Sequence, residues 1–142
     1  MTLVGVVAAD TGLFLPDFRA AERTFQLLTQ VAGRAGRSHH GGRVIVQTYN
    51  PDHYAIRAAA HHDFASFYQQ EVSHRRLLGY PPFSRLVALR FSDPDPRRCQ
   101  LESQRLGRWL AQEIKRQSVE ATLIGPAPCF FSRLEGRYRW QI

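Results

Sequence analysis

The octet Gln30-Val31-Ala32-Gly33-Arg34-Ala35-Gly36-Arg37 fits the pattern Q-x-x-G-R-x-G-R and is the stretch of this chain best suited to chemistry. Two guanidinium groups three positions apart can converge on one phosphate, and the glycines let the backbone turn tightly beside a ligand. An arginine set on the terminal phosphate of a nucleotide stabilises the charge that develops in phosphoryl transfer. A plain basic helix end would also carry arginine near its last carbonyls and glycine just past them. The added glutamine, and a position between two expected strands, favour the phosphate reading.

A second constellation lies in the tail, Arg133 followed by Arg137-Tyr138-Arg139-Trp140-Gln141. On a strand, Arg137, Arg139 and Gln141 share one face while Tyr138 and Trp140 share the other. One face then suits a core, and the other presents guanidinium groups and an amide to phosphates or to the carboxylates of an acidic peptide. An ordinary edge strand with a solvated basic face is the alternative. Asp10 ends a strand where α/β folds place ligands, although capping a loop would use it equally well. His39, His40, His61, His62 and His74 have no carboxylate or cysteine at ligand spacing, so they read as surface histidines and no metal site is expected. Arg75-Arg76 reads as a solvated helix end.

These groups need elements to hold them. Leu3, Val4, Val6 and Val7 form a nearly continuous apolar run like a buried parallel strand, followed by a loop over residues 11–17. Phe25, Leu28 and Val31, widened by Leu27, give residues 19–32 a helical period. Residues 43–49 read as a second strand, parallel to the first by the β-α-β order. Helices are expected over residues 54–60 and from an N-cap at Asp63, the latter with Phe64, Phe67, Tyr68 and Val72 inward and ending near Gly79 before Pro81-Pro82. Beyond that boundary come a strand through Val87, Leu89 and Phe91, and a helix over residues 97–115 facing inward with Leu106, Trp109, Leu110 and Ile114. A strand at 121–124, a loop at 125–128 and a last strand at 138–142 complete the expected order.

The chain has 142 residues, 44% of them hydrophobic, which excludes a disordered chain. Nineteen Lys and Arg residues against twelve Asp and Glu give a net charge of +7, suited to a polyanionic partner. All but Lys115 of these cations are arginine, the residue that grips phosphate or carboxylate with two parallel donors. Cys99 and Cys129, thirty positions apart, exclude a disulfide framework or a cysteine-rich zinc site. No apolar run nears the roughly 18 residues that a membrane span needs, and the N-terminus lacks a basic leader, so a cytoplasmic setting is expected. Because the sequence opens and closes inside strands, a fragment of a longer protein is also expected.

The octet resembles motif VI of superfamily 2 helicases, and its surroundings narrow the likeness. Asp17-Phe18-Arg19-Ala20, the run Glu22-Arg23-Thr24-Phe25-Gln26-Leu27-Leu28-Thr29, and Gln47-Thr48-Tyr49-Asn50-Pro51 resemble the PriA-type primosomal protein N′ family of replication-restart DNA helicases. So do Gly79-Tyr80-Pro81-Pro82-Phe83 and Gly136-Arg137-Tyr138-Arg139-Trp140-Gln141, in the same order along the chain. The resemblance implies an α/β fold: the tail of a RecA-like parallel-sheet helicase lobe over residues 1–60, a helical connector over 61–84, and a truncated α+β C-terminal domain over 85–142. It implies an ATP-dependent 3′-to-5′ helicase that restarts stalled forks and begins primosome assembly, to which Arg37 would supply the arginine finger beside Arg34. Gln30, Gly33 and Gly36 would line the nucleotide. Arg137, Arg139 and Gln141 would meet the acidic tail of single-stranded DNA-binding protein, or DNA. Forked and single-stranded DNA and other primosome proteins are the implied partners, near the bacterial nucleoid. ATP and Mg²⁺ would be bound mainly by parts not in this sequence, which has no phosphate loop, no DE-x-H box and none of the cysteines that hold the family's zinc. A free-standing basic module that binds nucleic acid or an acidic tail without catalysis is the rival reading.

Overall fold

A computed structural model describes residues 2–35 and 42–142. The chain divides into two compact units, Met1–Arg85 and Leu86–Ile142. The fold is mixed α/β, with a two-stranded parallel sheet in the first unit and a three-stranded antiparallel sheet in the second.

In the first unit β1 (Thr2–Val6) pairs in parallel with β2 (Gly42–Val46), Val4 opposite Val44 and Val6 opposite Val46. Parallel neighbours need a crossover, supplied here by the short α1 (Asp10–Leu13) and the long α2 (Ala20–Ala35). The segment expected as loop over 11–17 thus begins with a helical turn, too short to show a period in sequence. Next come α3 (Tyr54–Ala60) and α4 (Phe64–Leu77). His53 caps α3 by accepting from the Ala55 amide, and Asp63 caps α4 by accepting from Ser66. Gly79, at φ 64°, stops α4: the Tyr80 amide donates to the Arg75 carbonyl and the Gly79 amide to that of Arg76.

Phe25 and Leu28 of α2, four residues of α3 and Phe67 of α4 form the core of this unit, with Val6 and Val46 packed against it. Phe25 stacks on Phe67 with ring centroids 4.2 Å apart. The inward stripe expected of α4 is narrower than its period suggests, because Phe64 is 63% and Tyr68 56% exposed. The alanines of α3 explain this: Ala55, Ala58 and Ala59 bring the helices close, and one large ring fills the space between them.

The second unit is a sheet in the order β3-β5-β4 under one helix. These are β3 (Arg90–Asp93), α5 (Pro96–Arg116), β4 (Ala127–Leu134) and β5 (Arg137–Gln141). Asp95 caps α5 by accepting from Arg97 and Arg98, with Pro96 in the first turn. β4 turns into β5 through Glu135 and Gly136, at φ 50° and 76°, the two positive values that a two-residue type I′ hairpin requires. β5 is the central strand, which removes the edge-strand alternative for the tail.

Several strand boundaries differ from expectation, and β2 ends at Val46 where the sequence suggested residue 49. Residues 121–124 form no strand, and β4 occupies the region read as loop or unassigned. A short alternation becomes a strand only where a partner accepts its hydrogen bonds, and β4 finds one through the hairpin. Val87 lies outside β3, although Leu89 exchanges both backbone hydrogen bonds with Ile142 (3.1 and 3.0 Å).

The buried stripe of α5 also differs. Cys99, Ser103 and Gly107, four apart, are buried, while Trp109 is 54% exposed. A Cβ on Gly107 would lie 3.1 Å from the Pro126 ring and 3.7 Å from Ile142. Small residues let the helix approach the sheet, so size rather than hydrophobicity selected the face.

Candidate functional site

The end of α2 carries the described part of the phosphate motif. Gln30 and Arg34, one helical turn apart, lie on one side of the helix and are both exposed. Gly33 is exposed as well, with open space where a Cβ would stand. Among the described residues no carboxylate pairs with Arg34. Gly36 and Arg37 lie outside the described residues. Where the chain returns to β2, a Cβ on Gly42 would collide with the backbone carbonyl of Ala35, so only glycine permits the strand to start this close to the helix end. α2 runs on to Ala35, so Gly33 lies within the helix and not in the turn expected after residue 32, and it offers open space instead of free backbone donors. The Gln30 amide and the Arg34 guanidinium form the donor set that fits an anionic phosphate.

The other end of α2 is anchored by an arginine that the sequence reading placed in solvent. Arg75 is 15% exposed and donates from Nε to Glu71 at 2.6 Å and from Nη2 to Glu22 of α2 at 2.8 Å. Tyr54 of α3 donates its hydroxyl to the second oxygen of Glu71 at 2.6 Å. Burial works against the charge of Arg75, but hydrogen bonds to Glu22 and Glu71 outweigh it and raise the pKa. Burial, reinforced by Glu71, also pushes the Tyr54 phenol well above its ordinary value. The Phe18 ring lies 5.2 Å from the Arg75 guanidinium, and Phe18 packs on Tyr80 at 5.9 Å. One cation therefore joins α2, α3, α4 and the turn after α4. A helix-end arginine pair gives no sign of this in sequence, since Glu22 is 53 positions away.

Asp10 is structural. It is buried and accepts from the Thr48 hydroxyl (2.9 Å), the Tyr49 amide (2.9 Å) and the Asn50 side chain (3.0 Å). It stands at the start of α1 and not at the strand end expected of it, and ties that turn to the segment that follows β2. Of the histidines, His61 and His62 flank the helices on the surface, His74 packs edge-on against Tyr54, and His39 and His40 lie outside the described residues. Among the described residues no group of three or more metal-ligating side chains converges. Cys99 and Cys129 are free and buried, and no described helix is long and apolar enough to cross a membrane.

In the second unit the tail residues do assemble on one face. Residues directly opposite in an antiparallel pair point to the same side, so Arg90 joins Gln141 and Ser92 joins Arg139. Arg137 donates from Nε to the Ser92 hydroxyl (3.0 Å) and from Nη2 to the Ser92 carbonyl (2.7 Å). Phe91, Tyr138 and Trp140 occupy the other side with Ile142, which meets α5 beside Gly107. Arg90 and Ser92 were missed in sequence because their membership depends on the pairing of strands nearly fifty positions apart.

A mixed unit with a basic-faced antiparallel sheet under one helix is the class that residues 76–142 define: they match the family described as primosomal protein N C-terminal domain. The whole chain aligns with bacterial proteins called replication restart protein PriA. It is 43% identical over 99% of its length to that of Bacillus subtilis, and 44% identical over its full length to those of Synechocystis and Treponema pallidum. The chain spans only 17% of the first two relatives and 21% of the third. It belongs to the PriA family and represents a C-terminal stretch of it.

Proposed function

We propose that this chain is the part of a replication-restart DNA helicase that completes the nucleotide site and carries a docking domain. Residues 1–60 would be the tail of a RecA-like second lobe, 61–84 the connector, and 85–142 the start of the C-terminal domain. The observation that carries the reading is the motif end of α2: Gln30 and Arg34 are exposed on one side of a helix that links two parallel strands. The shared name of the relatives supports the restart role.

In this reading Arg37 is the arginine finger, Arg34 neutralises neighbouring phosphate charge, and Gln30, Gly33 and Gly36 line the nucleotide. ATP with Mg²⁺, held mainly by other parts of the enzyme, supplies the phosphoryl transfer that drives strand separation along forked or single-stranded DNA. The family's zinc would likewise be held outside this chain. On the second unit Arg137, Arg139 and Gln141 receive the acidic tail of single-stranded DNA-binding protein. Other primosome proteins complete the set of partners, and the bacterial cytoplasm beside the nucleoid is the compartment for such work. The rival, a binding module without catalysis, has no use for the paired arginines of the octet.

Arg37→Ala in the complete enzyme should lower ATP turnover on the order of 10³-fold while leaving DNA affinity within a few-fold. Full turnover in that variant refutes the finger and leaves the binding module.

A further inference from the structure

Two histidines of the first unit lie against one ring. His53 stacks on Tyr54 with ring centroids 4.5 Å apart, and His74 of α4 meets the same ring edge-on at 4.9 Å. His53 Nδ1 accepts from the Ala55 amide at 3.2 Å, so that nitrogen carries no proton while it caps α3. Ala55 is wholly buried, and water does not replace the cap if it is lost. The carboxylates that face His53 are committed to other partners. Asp10, at the start of α1, accepts from Thr48, Tyr49 and Asn50. Glu71 of α4 accepts from the Tyr54 hydroxyl and from Arg75, whose cation lies just beyond it.

We propose that His53, Tyr54 and His74 form a proton-sensitive clasp between α3 and α4, closed while His53 is neutral and loosened when His53 takes up a proton. An imidazolium is a donor at both nitrogens, so the proton turns the capping acceptor into a second donor facing the Ala55 N–H. The buried amide is then left without a partner. Tyr54 carries the change to α4, because its ring holds both histidines and its hydroxyl reaches Glu71. Burial first, and the like charge of His74 second, hold the His53 imidazole below its ordinary value against the pull of Glu71 and Asp10. The folded chain therefore binds this proton less readily than the opened one. Its stabilisation is complete above the ordinary 6.5 and is lost as the pH falls below it. Asp10 titrates far lower, at about 2, so the two responses are separable.

The test is hydrogen exchange of the full-length protein read by mass spectrometry, at the imidazole C2 positions for titration and at the α3 and α4 amides for opening. The His53 midpoint should fall below 6.5, and a midpoint at or above it overturns the proposal without any variant. Between about pH 7.5 and about pH 5.5, amide exchange corrected for its intrinsic pH dependence should accelerate by up to about tenfold, the limit set by an ordinary imidazole one unit below its midpoint. His53→Asn keeps a capping oxygen and does not titrate, so its corrected exchange should stay flat across that range. An equally steep rise in His53→Asn assigns the proton to another group and refutes the clasp. His74→Asn should raise the His53 midpoint, since no imidazolium then faces it across the Tyr54 ring. An unmoved midpoint there refutes the link between the two helices.

Discussion

Replacing Arg75 with alanine should destabilise the first unit more than any other single charge removal there. Glu71 is 8% exposed and Arg75 15%, so the variant leaves a carboxylate in the interior with the Tyr54 hydroxyl as its remaining donor. Removing one partner of a buried pair costs about 3–5 kcal/mol, and the Tyr54 hydrogen bond places this case near 3 kcal/mol. The arm to Glu22 contributes less, because that carboxylate is 35% exposed and such pairs are worth about 0.2–1 kcal/mol. Glu22→Gln is therefore the control. Both tryptophans, Trp109 and Trp140, belong to the second unit, so their fluorescence does not follow the first. Hydrogen exchange of the α3 and α4 amides does. At about 3 kcal/mol, exchange through opening of the unit should accelerate roughly a hundredfold in Arg75→Ala, against a few-fold in Glu22→Gln. The double variant Arg75→Met with Glu71→Gln, which removes both charges, should cost less than the sum of its parts by about 1–3 kcal/mol. Equal and small effects of Arg75→Ala and Glu22→Gln, with additive behaviour in the double variant, would refute the buried hub.

Asp10 makes the first unit sensitive to acid. The Asn50 amide, with help from the Tyr49 N–H and the Thr48 hydroxyl, holds its carboxyl at about 2 against the opposing push of burial. The folded value lies below the ordinary 3.8, so the stabilisation is complete above that pH and is lost as the pH falls towards about 2. Asp10→Asn should flatten hydrogen-exchange stability across that window, and an undiminished pH slope would exclude Asp10 as its source. Gly107→Val should lift α5 from the sheet, since even a Cβ meets Pro126 at 3.1 Å. A loss of about 1–3 kcal/mol is expected in urea unfolding followed by tryptophan fluorescence, and a wild-type midpoint would show that the helix has room to spare.

Much of the first unit was legible because its signals are local. The strand at Leu3, the Phe25 and Leu28 spacing and the cap at Asp63 act within a few residues, and hydrophobic period and backbone capping are local physics. The His53 cap gave no such signal, since histidine is an uncommon cap. The burial expected of the strand at Leu3 did not follow, since Leu3 is 61% and Val7 77% exposed. The limits appear where size replaces polarity. Trp109 looked like an anchor by hydropathy, yet Cys99, Ser103 and Gly107 form the contact, because close approach of α5 requires small side chains. β4 was missed although Glu135-Gly136 is a passable hairpin signal, since the residues before it alternate poorly.

By itself the sequence determined the motif end of α2, the alternation of Arg137, Arg139 and Gln141 on one strand face, and the glycine stop of α4. Each follows from backbone geometry over a few residues. Only the tertiary structure decided that β5 lies in the centre of its sheet, that Arg90 and Ser92 stand beside the tail arginines, and that Arg75 is buried between Glu71 and Glu22. Those outcomes depend on which distant segments pair. A guanidinium has the same sequence signature whether its partner is water or a carboxylate 53 positions away.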